Sequence, residues 1–274
     1  MTASVSITVD VDGEAGLPDG GRAYGRRLSS RSERVYGLRR GLPRVLAVLA
    51  EFEVRASFYV PGNVAVRHPD EVRGVVAAGH ELGHHGHRHL APARLSAAEQ
   101  LAELRDGRAA LEQVAGPVVH GYRAPEWELA PITLAALARE GFSHDSSLMD
   151  DDRPYRLRSG GVEIAELPVH WSLDDAPHFA HGTDPRALLE VWLDELRQAA
   201  NEDRAITYTL HPDILGRPHR LDVLRRLLEA VGQTGVAALP HGAVARSTMA
   251  EPAPREPRGD REDAGGRQPR RGGG

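Results

Sequence analysis

Apolar positions along the chain recur with two periods, and stretches of one period alternate with stretches of the other. Residues 5–11 place β-branched side chains at nearly every position and end in Asp10 and Asp12 flanking Val11. This pattern predicts a buried strand that delivers carboxylates at its C-terminal end. Glycine and arginine dominate residues 13–34, which predicts an exposed loop. Residues 38–52 carry Leu42, Val45, Leu46 and Leu49 at helical spacing, and residues 56–61 read as a strand stopped by Pro61 and Gly62. A helix is predicted over 64–78, with Pro69 at a turn or in its first part, and a short strand begins at 80–83.

The alternation continues with helix 97–114, strand 120–123, helix 131–139 with Pro131 at its start, and strand 162–169. Helix 185–200, strand 205–210 and helix 221–231 follow. Strand–helix repetition predicts an α/β fold built on a parallel sheet, with about seven βα units, fewer than the eight of a complete barrel. From residue 251 onward no aliphatic core residue larger than alanine occurs. Residues 1–249 are therefore expected to form one catalytic domain, and 250–274 a disordered Pro/Gly/Arg-rich tail.

Composition narrows the chemistry. The chain of 274 residues has a net charge of -5, which argues against a nucleic-acid partner. All 34 basic residues are arginine, so no lysine is available for Schiff-base chemistry. Cysteine is absent, which excludes disulfides, thiolate nucleophiles and Cys-type zinc sites. No apolar run approaches the ~18 residues of a membrane span, so no membrane partner is expected. The start of the sequence reads as a first strand rather than a signal peptide, and the expected location is cytoplasmic.

Polar residues cluster after predicted strands. Asp10 and Asp12 follow the first, five histidines within residues 79–90 surround the third, and Arg123 to Trp127 follow the fourth. Trp171, Asp174 and Asp175 follow a later strand, and His211 the last long one. Loops after parallel strands converge on one face, so the repeated placement points to a single site. Within the histidine cluster, His85 and His89 share a face if the loop takes a helical turn. His85, His87 and His89 share one if it stays extended. His80 and His84 have the spacing of the first pair but fall where the chain should be extended. Both ligand sets stand on periodicity alone, and His80 and His87 read better as ordinary surface or core histidines.

These motifs fall in the order of the polysaccharide deacetylase family (carbohydrate esterase family 4, the NodB-homology fold), which the chain resembles over residues 5–245. The resemblance implies a distorted (β/α)7-type barrel and settles the histidine question in favour of His85 and His89. Together with Asp12 they are implied to bind a divalent metal, with Zn²⁺ the leading choice and Co²⁺, Ni²⁺ or Mn²⁺ as alternatives. Asp10 is implied to be the general base for the attacking water, and Arg123 the group that orients it. His211 is implied to be the general acid, held charged by Asp175 or Asp174. Trp127, Trp171 and Glu126 are expected to line the substrate pocket. Glu14 is expected either to contact substrate or to be a solvated loop residue.

Three features depart from the family pattern. Val11 separates the two aspartates, although residues two apart on a strand still share a face. Gly86 replaces a Ser or Thr whose hydroxyl braces the metal loop. Glu126 and Trp127 stand where a small residue keeps the groove open. These features, with residues 146–155 and 167–171, resemble a branch containing peptidoglycan-deacetylase-like, allantoinase-like and cyclic-imide hydrolase proteins, some of them homotetramers. Trp127, Trp171 and Phe179 are expected to close the site against a polymer.

The leading expectation is a metal-dependent hydrolase of a C–N amide bond, acting on an N-acetylated sugar or a related small amide. Its partners are then the sugar or small-molecule substrate and further copies of the chain in a homo-oligomer. The alternatives are a ring-opening hydrolase of cyclic imides or ureides, metal-independent in one version, and a non-catalytic binding or assembly module.

Overall fold

A computed structural model describes residues 2–17, 28–116, 119–159, 161–250 and 254–255. Ten strands form one sheet in the order β10-β6-β7-β5-β4-β3-β2-β1-β8. In chain order they are β1 (Ser4–Asp10), β2 (Ser57–Val60), β3 (Glu81–His84), β4 (Gly121–Tyr122) and β5 (His144–Asp145). They continue with β6 (Tyr155–Ser159), β7 (Val162–Glu166), β8 (Ala205–Leu210), β9 (Ala237–Ala238) and β10 (Pro254–Arg255). β9 pairs with the N-terminal end of β1. All pairings are parallel except β6 with β7. A lone bridge from Asp174 to Thr209 brings the chain after β7 against the free edge of β8. The sheet thus curls almost shut through β1, β2, β3, β4, β5, β7 and β8, which is the expected distorted barrel of seven parallel strands.

The helices are α1 (Leu28–Tyr36), α2 (Leu42–Glu51), α3 (Gly62–Arg67), α4 (Pro69–Ala77) and α5 (Ala97–Ala115). They are followed by α6 (Pro131–Arg139), α7 (Asp175–Ala180), α8 (Pro185–Asn201), α9 (Leu221–Thr234) and α10 (His241–Ala250). α9 shows why they pack outside the sheet: Val223, Leu224, Leu227, Leu228 and Val231 fall on one stripe and are all buried. Ser96 starts α5 with a capping box, its hydroxyl accepting from the Glu99 amide while the Glu99 carboxylate reaches back. None of these helices is long and apolar enough to cross a membrane.

Several elements differ from the sequence reading. The expected helix 64–78 is two helices, because His68 precedes Pro69 and leaves helical backbone (φ -130°, ψ 56°). The expected helix 38–52 begins with a π-helical turn, Gly37–Gly41, before α2. Pro43 lies at that junction and has no N–H to continue the α-helical ladder. Residues 13–34 are not simply an exposed loop: Gly13–Gly16 is a buried 3-10 turn and α1 follows. The strand expected at 80–83 lies one residue later, at Glu81–His84, the strands expected at 120–123 and 162–169 are shorter, and β5, β6, β9 and α10 leave no pattern in the sequence. Pro254–Arg255 pair with β6, and the remainder of the tail expected to be disordered lies outside the described residues.

Candidate active site

The C-terminal ends of the parallel strands open into a cavity of about 620 Å³. Asp10, Asp12, His85, His89, Glu126, Trp127, Trp171, Asp174 and His211 line it, together with Arg34 and Arg94.

Asp10 ends β1, but Asp12 does not continue the strand. It has helical backbone (φ -63°, ψ -32°) and opens the 3-10 turn. Asp10 therefore reaches the cavity from the strand end and Asp12 from a turn, not both through the strand alternation the sequence suggested. Gly16 packs directly over Asp12, where a Cβ would lie 2.8 Å from that of the aspartate.

His85 and His89 come together without a helical turn. The chain bends after β3, Gly86 takes φ +71° and His89 takes φ +56°. A side chain at Gly86 would be strained by that φ and would press on Pro125. The hydroxyl expected to brace this loop is replaced by Glu103 of α5. Its Oε2 accepts from the amides of His87 (2.8 Å) and Arg88 (2.7 Å), and Oε1 pairs with the Arg88 guanidinium. His85 Nδ1 donates to the Arg123 carbonyl at 2.8 Å, which leaves Nε2 as a lone-pair donor facing the cavity.

The Asp12, His85 and His89 donor atoms fit a divalent metal. Asp12 Oδ1 lies 3.5 Å from His85 Nε2 and 3.4 Å from His89 Nε2. Ligand bonds of about 2.1 Å at tetrahedral angles place donors about 3.4 Å apart. Asp12 Oδ1 is buried and has no hydrogen-bond partner among the described residues, which is costly unless something else satisfies it. Burial by itself raises the Asp12 carboxyl, but His89, His211, His85 and Arg34 together hold it well below the usual carboxylate range. Burial pushes the His89 imidazole below its ordinary value, favouring the neutral, ligating form. His84 is buried and held between the Leu104 carbonyl and the Gly86 amide. His80 accepts from the Ala56 amide, and neither it nor His87 lines the cavity.

Asp10 is not part of that donor set. Its Oδ1 accepts from Arg123 Nη1 at 2.8 Å, and its Oδ2 lies 3.8 Å from His85 Nε2. Arg123 is fully buried and used on every side. It also reaches Thr8, Thr209 and Ser146, and its guanidinium carbon lies 4.3 Å from the centre of the Tyr59 ring. Just after β8, His211 Nδ1 is 2.7 Å from Asp175 Oδ1, and Asp175 Oδ2 also accepts from the His211 amide. Asp174 is 3.6 Å from the same nitrogen and caps α7. Asp175 is thus the orienting carboxylate, while Asp174 faces the cavity. Burial and the neighbouring Asp175 charge, only partly offset by His211, push Asp174 up to about 7. Burial alone disfavours the His211 imidazolium, but Asp174, Asp175 and Asp12 outweigh it and hold that group well above the histidine range.

Trp127 and Trp171 stack at the mouth with ring centres 4.4 Å apart. Glu126 and Trp127 both have positive φ, as does His89, so three of the five such non-glycine residues among those described line the cavity. Glu126 pairs with Arg94 at 2.8 Å. Two expected contributors lie elsewhere. Glu14 is buried and bonded to His68 at 2.7 Å, outside the cavity lining and not solvated. Phe179 packs beneath the Arg220 guanidinium instead of closing the site. Sequence reading missed Arg34, which reaches the cavity from α1 and is anchored by Asp213 at 2.9 Å. α1 buries no residue and so has no apolar stripe to mark it in the sequence.

Residues 36–143 match the polysaccharide deacetylase family. A solved Mycobacterium smegmatis protein described as a candidate polysaccharide deacetylase is 37% identical, with a TM-score of 0.88 over 93% of each chain. The peptidoglycan deacetylase of Helicobacter pylori is 28% identical over 84% of this chain and 90% of its own length. The Puue allantoinase structure shares the fold, with a TM-score of 0.82, 23% identity and 90% of each chain covered. The chain belongs to the polysaccharide deacetylase family, whose members are hydrolases acting on non-peptide C–N bonds.

Proposed function

We propose that this chain is a metal-dependent amidohydrolase that removes an acyl group, acetate in the leading case, from an N-acylated sugar or a related small amide. One observation carries the reading: Asp10 lies 3.8 Å from His85 and His211 lies 3.9 Å from Asp12, so both border the Asp12, His85 and His89 donor set, each with its own orienting partner. A divalent cation held by those three donors, Zn²⁺ first, supplies Lewis acidity at the scissile carbonyl and lowers the pKa of water. Asp10, aimed by Arg123, takes the proton of the attacking water as its oxygen bonds to the carbonyl carbon. His211, kept protonated by Asp175, gives its proton to the leaving nitrogen as the C–N bond breaks. Acid and base chemistry is thereby divided between two groups, each with its own orienting partner.

The walls favour a small substrate. A cavity of about 620 Å³ lies in the range of small-molecule pockets, and the indole stack and the Arg94–Glu126 pair stand at its rim. The same enclosure supports ring opening of a cyclic imide or ureide as the second reading. The test is to load the purified protein with Zn²⁺, Co²⁺, Ni²⁺ or Mn²⁺ and assay N-acetylated mono- and oligosaccharides beside cyclic imides, with and without chelator. Chelator-sensitive release of acetate is expected. Turnover that survives complete metal removal contradicts the metal mechanism, and no turnover of either class with any metal contradicts the hydrolase reading.

A further inference from the structure

Behind Arg123, outside the cavity, two acidic side chains meet in the barrel interior. Asp145 and Glu166 are register partners on the parallel strands β5 and β7, and both are completely buried. One oxygen of each is spent on the turn 146–148. Ser147 Oγ donates to Asp145 Oδ1 at 2.9 Å, and the amides of Ser147 and Leu148 donate to Glu166 Oε1 at 3.1 and 2.9 Å. The other side of the turn grips the arginine. Ser146 accepts from Arg123 Nε through its carbonyl (3.1 Å) and from Nη2 through its hydroxyl (2.9 Å), while Ser147 Oγ accepts from the Ala124 amide (2.9 Å).

The remaining oxygens, Asp145 Oδ2 and Glu166 Oε2, are buried and find no donor among the described residues. The two carboxyl groups are in direct side-chain contact. Two fully buried carboxylates in contact do not both ionise, and a single proton between the orphaned oxygens satisfies both.

We infer that Asp145 and Glu166 share one proton and act as positioning residues, locking the turn 146–148 that fixes Arg123 against Asp10. Burial pushes both groups up, Asp145 to about 6 and Glu166 well above the carboxylate range. Among the described residues, Arg123 after β4, Tyr122 in β4, Tyr59 in β2 and Tyr155 in β6 face the pair, and of these Arg123 is the cation. The pair with one proton carries one negative charge against that cation. With none it carries two.

Glu166→Gln tests this directly, because the amide copies the protonated acid: its oxygen accepts from the two backbone amides and its NH₂ donates to Asp145. A carboxyl raised in the folded state stabilises fully below its unfolded pKa of about 4.3, and that contribution is lost as pH rises through the folded value. The Tm of Glu166→Gln should therefore gain on wild type steadily as pH rises from about 4 into the alkaline range. Infrared spectra at neutral pH should show a protonated carboxylic acid band in wild type that the Gln variant loses. In the activity arm, which rests on the proposed hydrolase reading, Glu166→Ala should lower kcat by about 10²-fold with KM little changed. Glu166→Gln should restore kcat. A Tm difference that is constant with pH, or a carboxylic acid band left unchanged in Glu166→Gln, overturns the shared proton. An Ala variant with normal kcat, or a Gln variant as slow as Ala, overturns the positioning role. The Tm and infrared arms need no substrate, so they stand if the hydrolase reading fails and also if Glu166→Ala does not fold.

Discussion

Asp175 holds His211 twice, accepting from its ring Nδ1 at 2.7 Å and from its backbone amide at 3.0 Å, while His211 Nε2 faces Asp12 across the cavity at 3.9 Å. The arrangement fixes which nitrogen carries the working proton and, with Asp174, why the ring stays charged. The alkaline limb of the pH–rate profile should therefore reflect loss of the His211 proton. Asp175→Asn removes one of the three carboxylates that raise this group. The limb should move to lower pH and kcat should fall by about 10²–10⁴-fold, the usual worth of a positioned acid. An unshifted limb would remove His211 from the acid role.

Asp10 and Asp12 are two residues apart and do different work. Asp12 faces both imidazoles, whereas Asp10 is bonded to Arg123. Asp10→Asn keeps the size of the side chain and should leave metal content unchanged while lowering kcat by about 10²–10⁴-fold. Near-normal turnover in this variant would refute the base assignment.

Glu103 does the bracing that the missing hydroxyl at Gly86 does not. Glu103→Ala frees the amides of His87 and Arg88 between His85 and His89, the two candidate metal-ligand histidines. Supporting contacts of this kind are worth about 10–100-fold in metal affinity. Titration with Zn²⁺ should show a loss of that size, and unchanged affinity would show that the loop holds itself.

The two tryptophans differ in burial, with Trp127 at 7% exposure and Trp171 at 45%. Trp127→Ala should cost about 3–5 kcal/mol of stability, as deletion of a large buried side chain does. Trp171→Ala should leave stability nearly unchanged and act on substrate selection. With the stack gone, KM for a small substrate should rise and activity on oligosaccharides should improve relative to monosaccharides. A selectivity identical to wild type would mean that the indole pair does not limit the mouth.

Much of this architecture is legible in the sequence where one residue pattern decides the outcome. Ala205–Leu210 and Pro131–Arg139 have the bounds their apolar runs and proline punctuation predict. The pattern fails where backbone geometry or distant contacts decide. The two-residue strand β5 is too short for a period to register. The Asp12 turn and the left-handed His89 bring ligands together through dihedral angles that periodicity does not encode. Arg34 hides in a helix without a buried face, and Glu103 is one acid among many on α5 until the metal loop packs against it. The order of the motifs identified the candidate site, and tertiary contacts supplied the braces that hold it.

The claim on which the account depends is that Asp12, His85 and His89 bind one divalent ion. Elemental analysis of the purified protein and two variants tests it most directly. The account predicts one Zn²⁺-class ion per chain in wild type and in His87→Ala, and none in His89→Ala. A metal-free wild type after loading, or a His89→Ala protein that keeps its ion, would contradict it.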